Sequence, residues 1–512
     1  MKKLTIFSKI IIFAAIMVIS ATILSYFELF GKSGLVLDNQ PTPAAQTPKP
    51  PIVSNRTDVG KLMIAIDEWH GWKPIVDANM GLGAAKAGSI FKELGLDADI
   101  EIINDDEESL QMFIRGEVQA FGQSVNEWPY VHARLQDMGV DGKMVLITDK
   151  SIGGDGIVTT ADISGIEGLA GHSIVLAENS AAHVMTEWLL KTSSLSPEQI
   201  DEIRGNMIFA NSTDEAYEIF ANGEADAATL WEPYITQACS MLEAKVLFST
   251  KFASNLMIDG IVFREDYLNQ NPDAVEKFIE GTLRAMEIYA GDFQFIREFE
   301  DYDSLSDEEI YEIEEQVAFA NFAENRELLS GMAQTLYSEM ADIWDTLGEK
   351  TVYNGSQNAF ADSFLLRLAS KFPGSVTSAS SLDSVDMTEI HTQTLLQQTL
   401  TINFEQNVAI ITADSYSALA DFAQTAKILA GSLIQVEGNI ADTGVGDTLE
   451  GRRLSEQRAK AVCEYLIEQG IDEARLIPKG NGVSNPVPGL NPRSSEGMRA
   501  NRRTDIFFLM IE

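Results

Sequence analysis

ESLQMFIRGEVQA (residues 108–120) and EAYEIFANGEADA (residues 215–227) are two copies of one unit. Phe113 and Phe220, Gly116 and Gly223, Glu117 and Glu224, and Ala120 and Ala227 stand in register. Each copy reads as a helix closed by a glycine in the left-handed conformation, followed by a short strand. Around them the apolar runs Leu62–Ile66, Ile100–Ile103, Met144–Thr148, Ser173–Leu176 and Met207–Ala210 alternate with longer helical patterns. That rhythm predicts an α/β domain. Ligands gather at the carboxyl ends of strands in such sheets. The residues just past the two copies are Gln123-Ser124-Val125-Asn126 and Trp231-Glu232-Pro233-Tyr234, so two similar lobes would offer equivalent loops to one cleft.

Outward from this core, a length of 512 residues calls for two or three domains. Ile10 to Phe27 carries no charge and follows Lys2, Lys3 and Lys9, which predicts a transmembrane anchor over residues 1–30 with its amino terminus inside. A cleaved signal peptide is the rival reading of the same residues. Residues 31–58 are proline-rich and read as a semi-rigid linker. The α/β domain then spans 59–372, and small polar residues over 373–392 read as a second linker. In 393–512, strands are expected at Leu400–Phe404, Leu433–Glu437, Arg475–Pro478 and Thr504–Ile511, with helices at Ser415–Ala430 and Leu454–Gln469, giving a mixed sheet with helices on one face.

With 37 Lys and Arg against 77 Asp and Glu, the net charge of -40 argues against nucleic acid, which is held mainly by clustered basic side chains. Cys239 and Cys463 fall in different domains, so no disulfide framework is expected. The five histidines, at 70, 132, 172, 183 and 391, show no metal-ligand spacing, and no cofactor motif, nucleophile motif or phosphate loop is present. No metal, no cofactor and no catalysis are therefore expected.

Trp231-Glu232-Pro233-Tyr234, the first strand followed by Gly71-Trp72-Lys73-Pro74, and the turn Gly168-Leu169-Ala170-Gly171-His172 resemble the periplasmic solute-binding family for nitrate, sulfonates and bicarbonate. The resemblance implies a type II binding fold, two α/β lobes that close on a small solute, with crossovers near Ile157–Thr160 and Gly260–Arg264. It also implies the ligand contacts: Trp69, His70 and Trp72 in one loop, Gln123, Ser124 and Asn126 in the next, Gly154 and Asp155 at a crossover, Asn179 and Ser180 at a helix start, and Trp231 and Glu232 opposite. Asp259 is a weaker candidate. Asn179 and Ser180 could present N–H groups to an anion or simply cap the helix. Trp69, Trp72 and Trp231 with Glu232 and Asp155 also fit a cage for a cationic or zwitterionic amine. Lys and Arg are sparse in these loops, with Lys73, Lys150 and Arg264 the nearest. Trp188 reads as a core residue.

The run Leu454-Ser455-Glu456-Gln457-Arg458-Ala459, then Gly480-Asn481-Gly482 and Asn501-Arg502-Arg503, resembles the OmpA-like peptidoglycan-binding domain. The resemblance implies an Arg and an Asp that hold the diaminopimelate of the peptide stem. Arg458 stands at the Arg position. Ala441 stands where the Asp is usual, with Asp442 beside it, and Arg502 and Arg503 are expected to shape the same pocket. The whole chain then reads as a single-pass inner-membrane protein whose periplasmic domains face the cell wall. It would capture a sulfonate-like, nitrate-like or zwitterionic solute beside an ABC permease while tethered to peptidoglycan. The alternatives are an enzyme on the same two-lobe fold, with His70 or His183, and a structural tether that binds no solute.

Overall fold

The structure, a computed structural model, describes residues 61–302, 305–351, 356–377, 392–400, 402–405 and 407–511. The expected anchor over 1–30 and the linker over 31–58 lie outside the described residues. Among the described residues no helix is long and apolar enough to cross a membrane.

Five strands open the chain: β1 (Leu62–Ile66), β2 (Gly83–Ala84), β3 (Ala98–Ile102), β4 (Ala120–Ser124) and β5 (Gly142–Ser151). Five more form a second sheet: β6 (Asp155–Thr159), β7 (Ile174–Ala177), β8 (Met207–Ala210), β9 (Ala227–Trp231) and β10 (Lys245–Ser249). The chain then returns to the first sheet with β11 (Ile258–Arg264) and β12 (Val317–Phe319). The first sheet has the order β12-β5-β11-β4-β1-β3-β2, and the second β10-β6-β9-β7-β8. In each, parallel strands are joined through helices and the long returning strands run antiparallel to them. The chain crosses between lobes at 151–155 and 249–258, on the amino-terminal side of both expected crossovers. Two α/β lobes joined by two crossovers are the result.

The repeated unit takes the same form in both lobes. The helix Asp106–Arg115 is capped by Gly116 at φ 74° and leads into β4. The helix Thr213–Ala221 is followed by Gly223 at φ 75° and leads into β9. Both glycines occupy the left-handed region, where a Cβ is strained. Phe113 and Phe220 are both buried, which stabilises each lobe by about 2–3 kcal/mol per ring. Trp128, Trp188 and Trp344 are the largest fully buried side chains.

The third sheet comprises β13 (Thr392–Leu400), β14 (Leu433–Asn439), β15 (Leu476–Gly482) and β16 (Thr504–Ile511), in the order β13-β16-β14-β15. Its first strand lies earlier than the expected Leu400–Phe404. A register shift between Thr394 and Leu396 turns the adjacent Leu395 and Leu396 both inward, which hides the alternation a strand would otherwise show. The helix Leu449–Glu468 also begins earlier than Leu454, because Thr448 accepts a hydrogen bond from Gly451 N at 3.0 Å as its cap. It lies against β14 and β15 at backbone distance. A Cβ on Gly438 would stand 2.2 Å from Ser455 O, and one on Gly480 2.5 Å from Glu456 N.

Candidate functional site

β1 ends at Ile66, and Asp67 follows it. One carboxylate oxygen of Asp67 accepts from Trp69 N at 2.9 Å and from Trp72 Nε1 at 2.6 Å, which fixes the turn His70–Trp72 and aims both indoles. Trp69 Nε1 donates to Asp149 on β5 at 3.2 Å. From the other lobe Trp231, the last residue of β9, stacks on Trp69 with ring centroids 5.7 Å apart and planes 23° apart. The two indoles therefore touch each other across the lobes. They leave no room for a guest between them, and a sandwiching cage is replaced by an aromatic cover. Gly154 permits this approach, since a Cβ there would lie 2.5 Å from the Trp69 ring.

Beneath the indoles lies a group of carboxyls. Burial raises Asp149 to about 8, against hydrogen bonds from Thr148 and Trp69, and the charges of Asp155 and Asp67 raise it further. Burial likewise raises Asp155 to about 7, with Glu232 adding to it. Glu127 rises to about 8, first by burial and then through Asp106. Asp67 is raised by burial despite its hydrogen bonds. Asp259, on β11, is raised well above the usual carboxylate range, first by burial and then by Asp149, Asp155, Asp67 and Glu127. Each shift has one cause in common: carboxyls taken out of water beside one another favour the neutral form.

The remaining expected contacts divide. Gln123 and Ser124 both donate to Glu127 Oε2, at 2.8 and 2.9 Å, and so hold that carboxyl in place. Asn126 is fully buried and donates to Leu256 O at 2.8 Å, tying the first lobe to the second crossover. Asn179 takes φ 54°, and Ser180 caps the helix Ala181–Thr192. His183 Nδ1 accepts from Asn179 N at 3.2 Å, so this histidine is engaged in the helix start. His70 turns into the first lobe, where Nε2 lies 3.4 Å from Glu314 and the ring packs on Tyr302 and Phe319. Burial lowers its pKa. Glu232 accepts from Thr236 N and Oγ1 at 3.0 Å and from Gln316 at 3.1 Å, an attachment of the second lobe to the first. Asp67, Glu127 and Asp149 escape sequence reasoning. Their signal is a single acid interrupting or closing an apolar run, as in MVLITD (144–149), which resembles any strand end.

In the third sheet a cavity of about 210 Å³ is lined by Phe404, Asn439, Arg458, Arg502, Arg503 and Thr504 among others. The Arg458 guanidinium lies 4.8 Å from the centroid of the Phe404 ring, and its Nε donates to Val408 O at 3.2 Å. Burial, then the Arg502 charge, lowers its pKa, as expected of a guanidinium without an anion beside it. Arg503 is paired with Asp505 at 2.8 Å. Asp442 does not line the cavity; it pairs with Arg493 at 2.8 Å and accepts from Gly444 N and Gly446 N. The Arg493 charge and these N–H groups hold Asp442 below the usual carboxylate range.

Comparison with known proteins divides the chain in the same way. The family described as "NMT1/THI5 like" matches residues 78–292, and the OmpA family matches 403–502. The chain is 30% identical over 122 residues to the "Probable lipoprotein YiaD" of Escherichia coli, covering 24% of this chain and 54% of that protein. It is 30% identical over 103 residues to outer membrane protein A of Bordetella avium, covering 20% of this chain and 51% of that protein. The chain thus spans about half the length of these curated relatives. Among solved structures, it is similar to the periplasmic nitrate-binding protein NrtA from Synechocystis PCC 6803, at 9% identity and a TM-score of 0.48, over 62% of this chain and 90% of that one. This chain carries an NMT1/THI5-like domain of two lobes joined to a carboxyl-terminal OmpA domain.

Proposed function

We propose that this protein is a cell-envelope solute receptor. It captures a small molecule between its two lobes and grips peptidoglycan with its last domain, without catalysis. The observation that carries the reading is the meeting of Trp69 and Trp231 over buried polar groups at the strand ends of two sheets. Closure of lobes on a guest needs such a surface. Residues 10–27 would anchor it in the inner membrane, and an ABC permease is the natural recipient of the solute. In the last domain, Arg458 and Arg502 would take a carboxylate of the peptide stem through two parallel hydrogen bonds. Asn439 stands in the same cavity. Asp442 would act by holding Arg493 and its loop.

Sedimentation of the full chain with purified sacculi tests the cell-wall half of this reading. The native chain is expected in the pellet, and Arg458→Ala should lower the bound fraction at least tenfold. Asp442→Ala should lose less. Equal sedimentation of Arg458→Ala and the native chain would remove the cavity from the site.

A further inference from the structure

The charges that act most strongly on Glu127, Asp149, Asp155 and Asp259 are those of other carboxylates. Asp259 is the sharpest case. It is 8% exposed, no hydrogen-bond donor reaches its carboxylate among the described residues, and it faces Asp149, Asp155, Asp67 and Glu127. A buried carboxylate is ordinarily paired or hydrogen-bonded, so one left without a donor where the chain re-enters the first lobe marks a place for a partner that the chain itself does not supply.

The basic residues nearest in sequence are committed elsewhere. Lys73 donates to Asp77 at 2.7 Å and to Tyr289 O at 2.9 Å. Arg264 pairs with Asp266 at 2.9 Å and donates to Phe113 O. Lys150 donates to Asn255 at 3.3 Å. A cation here would draw these carboxyls to their charged form, whereas an anion would push them further towards the neutral one. Among the described residues no three His, Cys, Asp or Glu side chains are grouped to hold a metal ion, which favours an organic cation over an inorganic one.

We propose that the solute held between the lobes is an organic ammonium cation, with Asp149, Asp155 and Asp259 as its counter-ions and the Trp69–Trp231 pair covering its hydrocarbon part. This rests on the solute-receptor reading and narrows it to one charge class. The contrary arrangement is chemically specific: carboxyls that keep their protons could donate hydrogen bonds to a sulfonate or nitrate.

Thermal-shift and calorimetric titration of the full chain at pH 8 separates these cases, with putrescine and spermidine as the amines and methanesulfonate, nitrate, calcium and magnesium as the contrasts. A saturable response to an amine is expected, weakened at least tenfold in Asp259→Asn. The ligand-free Asp259→Asn protein should melt higher than the native chain, since the substitution removes repulsion. A response to methanesulfonate or nitrate, or to the metal ions with none from the amines, overturns the cation and leaves the receptor standing. Equal amine binding by native, Asp149→Asn and Asp259→Asn chains overturns the assignment of the counter-ions. No response to any of the six removes both this inference and the receptor reading.

Discussion

Asp149 shows how one side chain links position, electrostatics and stability. It sits fully buried on β5 with two donors, Trp69 Nε1 and Thr148 Oγ1, and its pKa still rises from 3.8 to about 8. A carboxyl raised in the folded state binds its proton more tightly there than in the unfolded chain. Between about pH 4 and pH 8 the folded protein therefore holds a proton that the unfolded one has released, and stability falls as pH rises through that window. Glu127, also raised to about 8, adds in the same direction. The melting temperature of the ligand-free chain is expected to decline from pH 5 to pH 8, and Asp149→Asn should flatten that decline. A melting temperature that rises across this range in the native chain would show that the carboxyls are already paired. None of this was legible in the sequence, where Asp149 is one acid at the end of an apolar run. Trp69 and Trp231, expected on resemblance alone, do come together across the lobes, with ring centroids 5.7 Å apart.

Elements were easier to read than residues, and the exceptions have physical causes. The repeated helix, glycine and strand of 108–120 and 215–227 carries its own punctuation, and β1 and β8 fall at the residues their apolar runs mark. β13 lies away from its expected place because its register shift breaks the alternation of inward and outward side chains. The helix Leu449–Glu468 starts before the apolar pattern that marks it, because its first turn, Leu449-Glu450-Gly451, is not apolar on one face. What holds that helix to the sheet is the absence of side chains: Gly480 leaves room for Arg452 O and Glu456 N, which a Cβ would meet at 2.6 and 2.5 Å. Gly480→Val must push the helix off β15 at a cost of about 3 kcal/mol. Urea denaturation followed through the OmpA domain should show an earlier midpoint, and an unchanged midpoint would mean that the helix is free to move. The displaced helix would carry Arg458 with it, so sacculus binding should weaken in the same variant.

At the scale of the molecule the two functional parts are not independent beads. Asn255, in the connection from β10 to β11, donates to Lys427 O at 2.9 Å, and Gln398 on β13 donates to Thr192 O at 3.1 Å. Gly431 comes so near Lys251 O that a Cβ would stand 2.1 Å from it. The sequence over 373–392 reads as a plain linker. It gives no hint of this docking, which uses the backbone as well as polar side chains: Asn255 N also donates to Ile428 O at 3.3 Å. The connection that touches the carboxyl-terminal domain also supplies Leu256 O to Asn126 and Thr250 Oγ1 to Asp155 N, so the proposed solute would act on the same segment that faces that domain. On this proposal the lobes hold a small molecule. Native mass spectrometry of the full chain purified from the envelope reads that directly. One small bound molecule per chain is expected, released as a cation and absent from the Asp149→Asn and Asp259→Asn proteins. A chain that carries no adduct even after incubation with envelope extract, or an adduct unaffected by either substitution, would contradict the account.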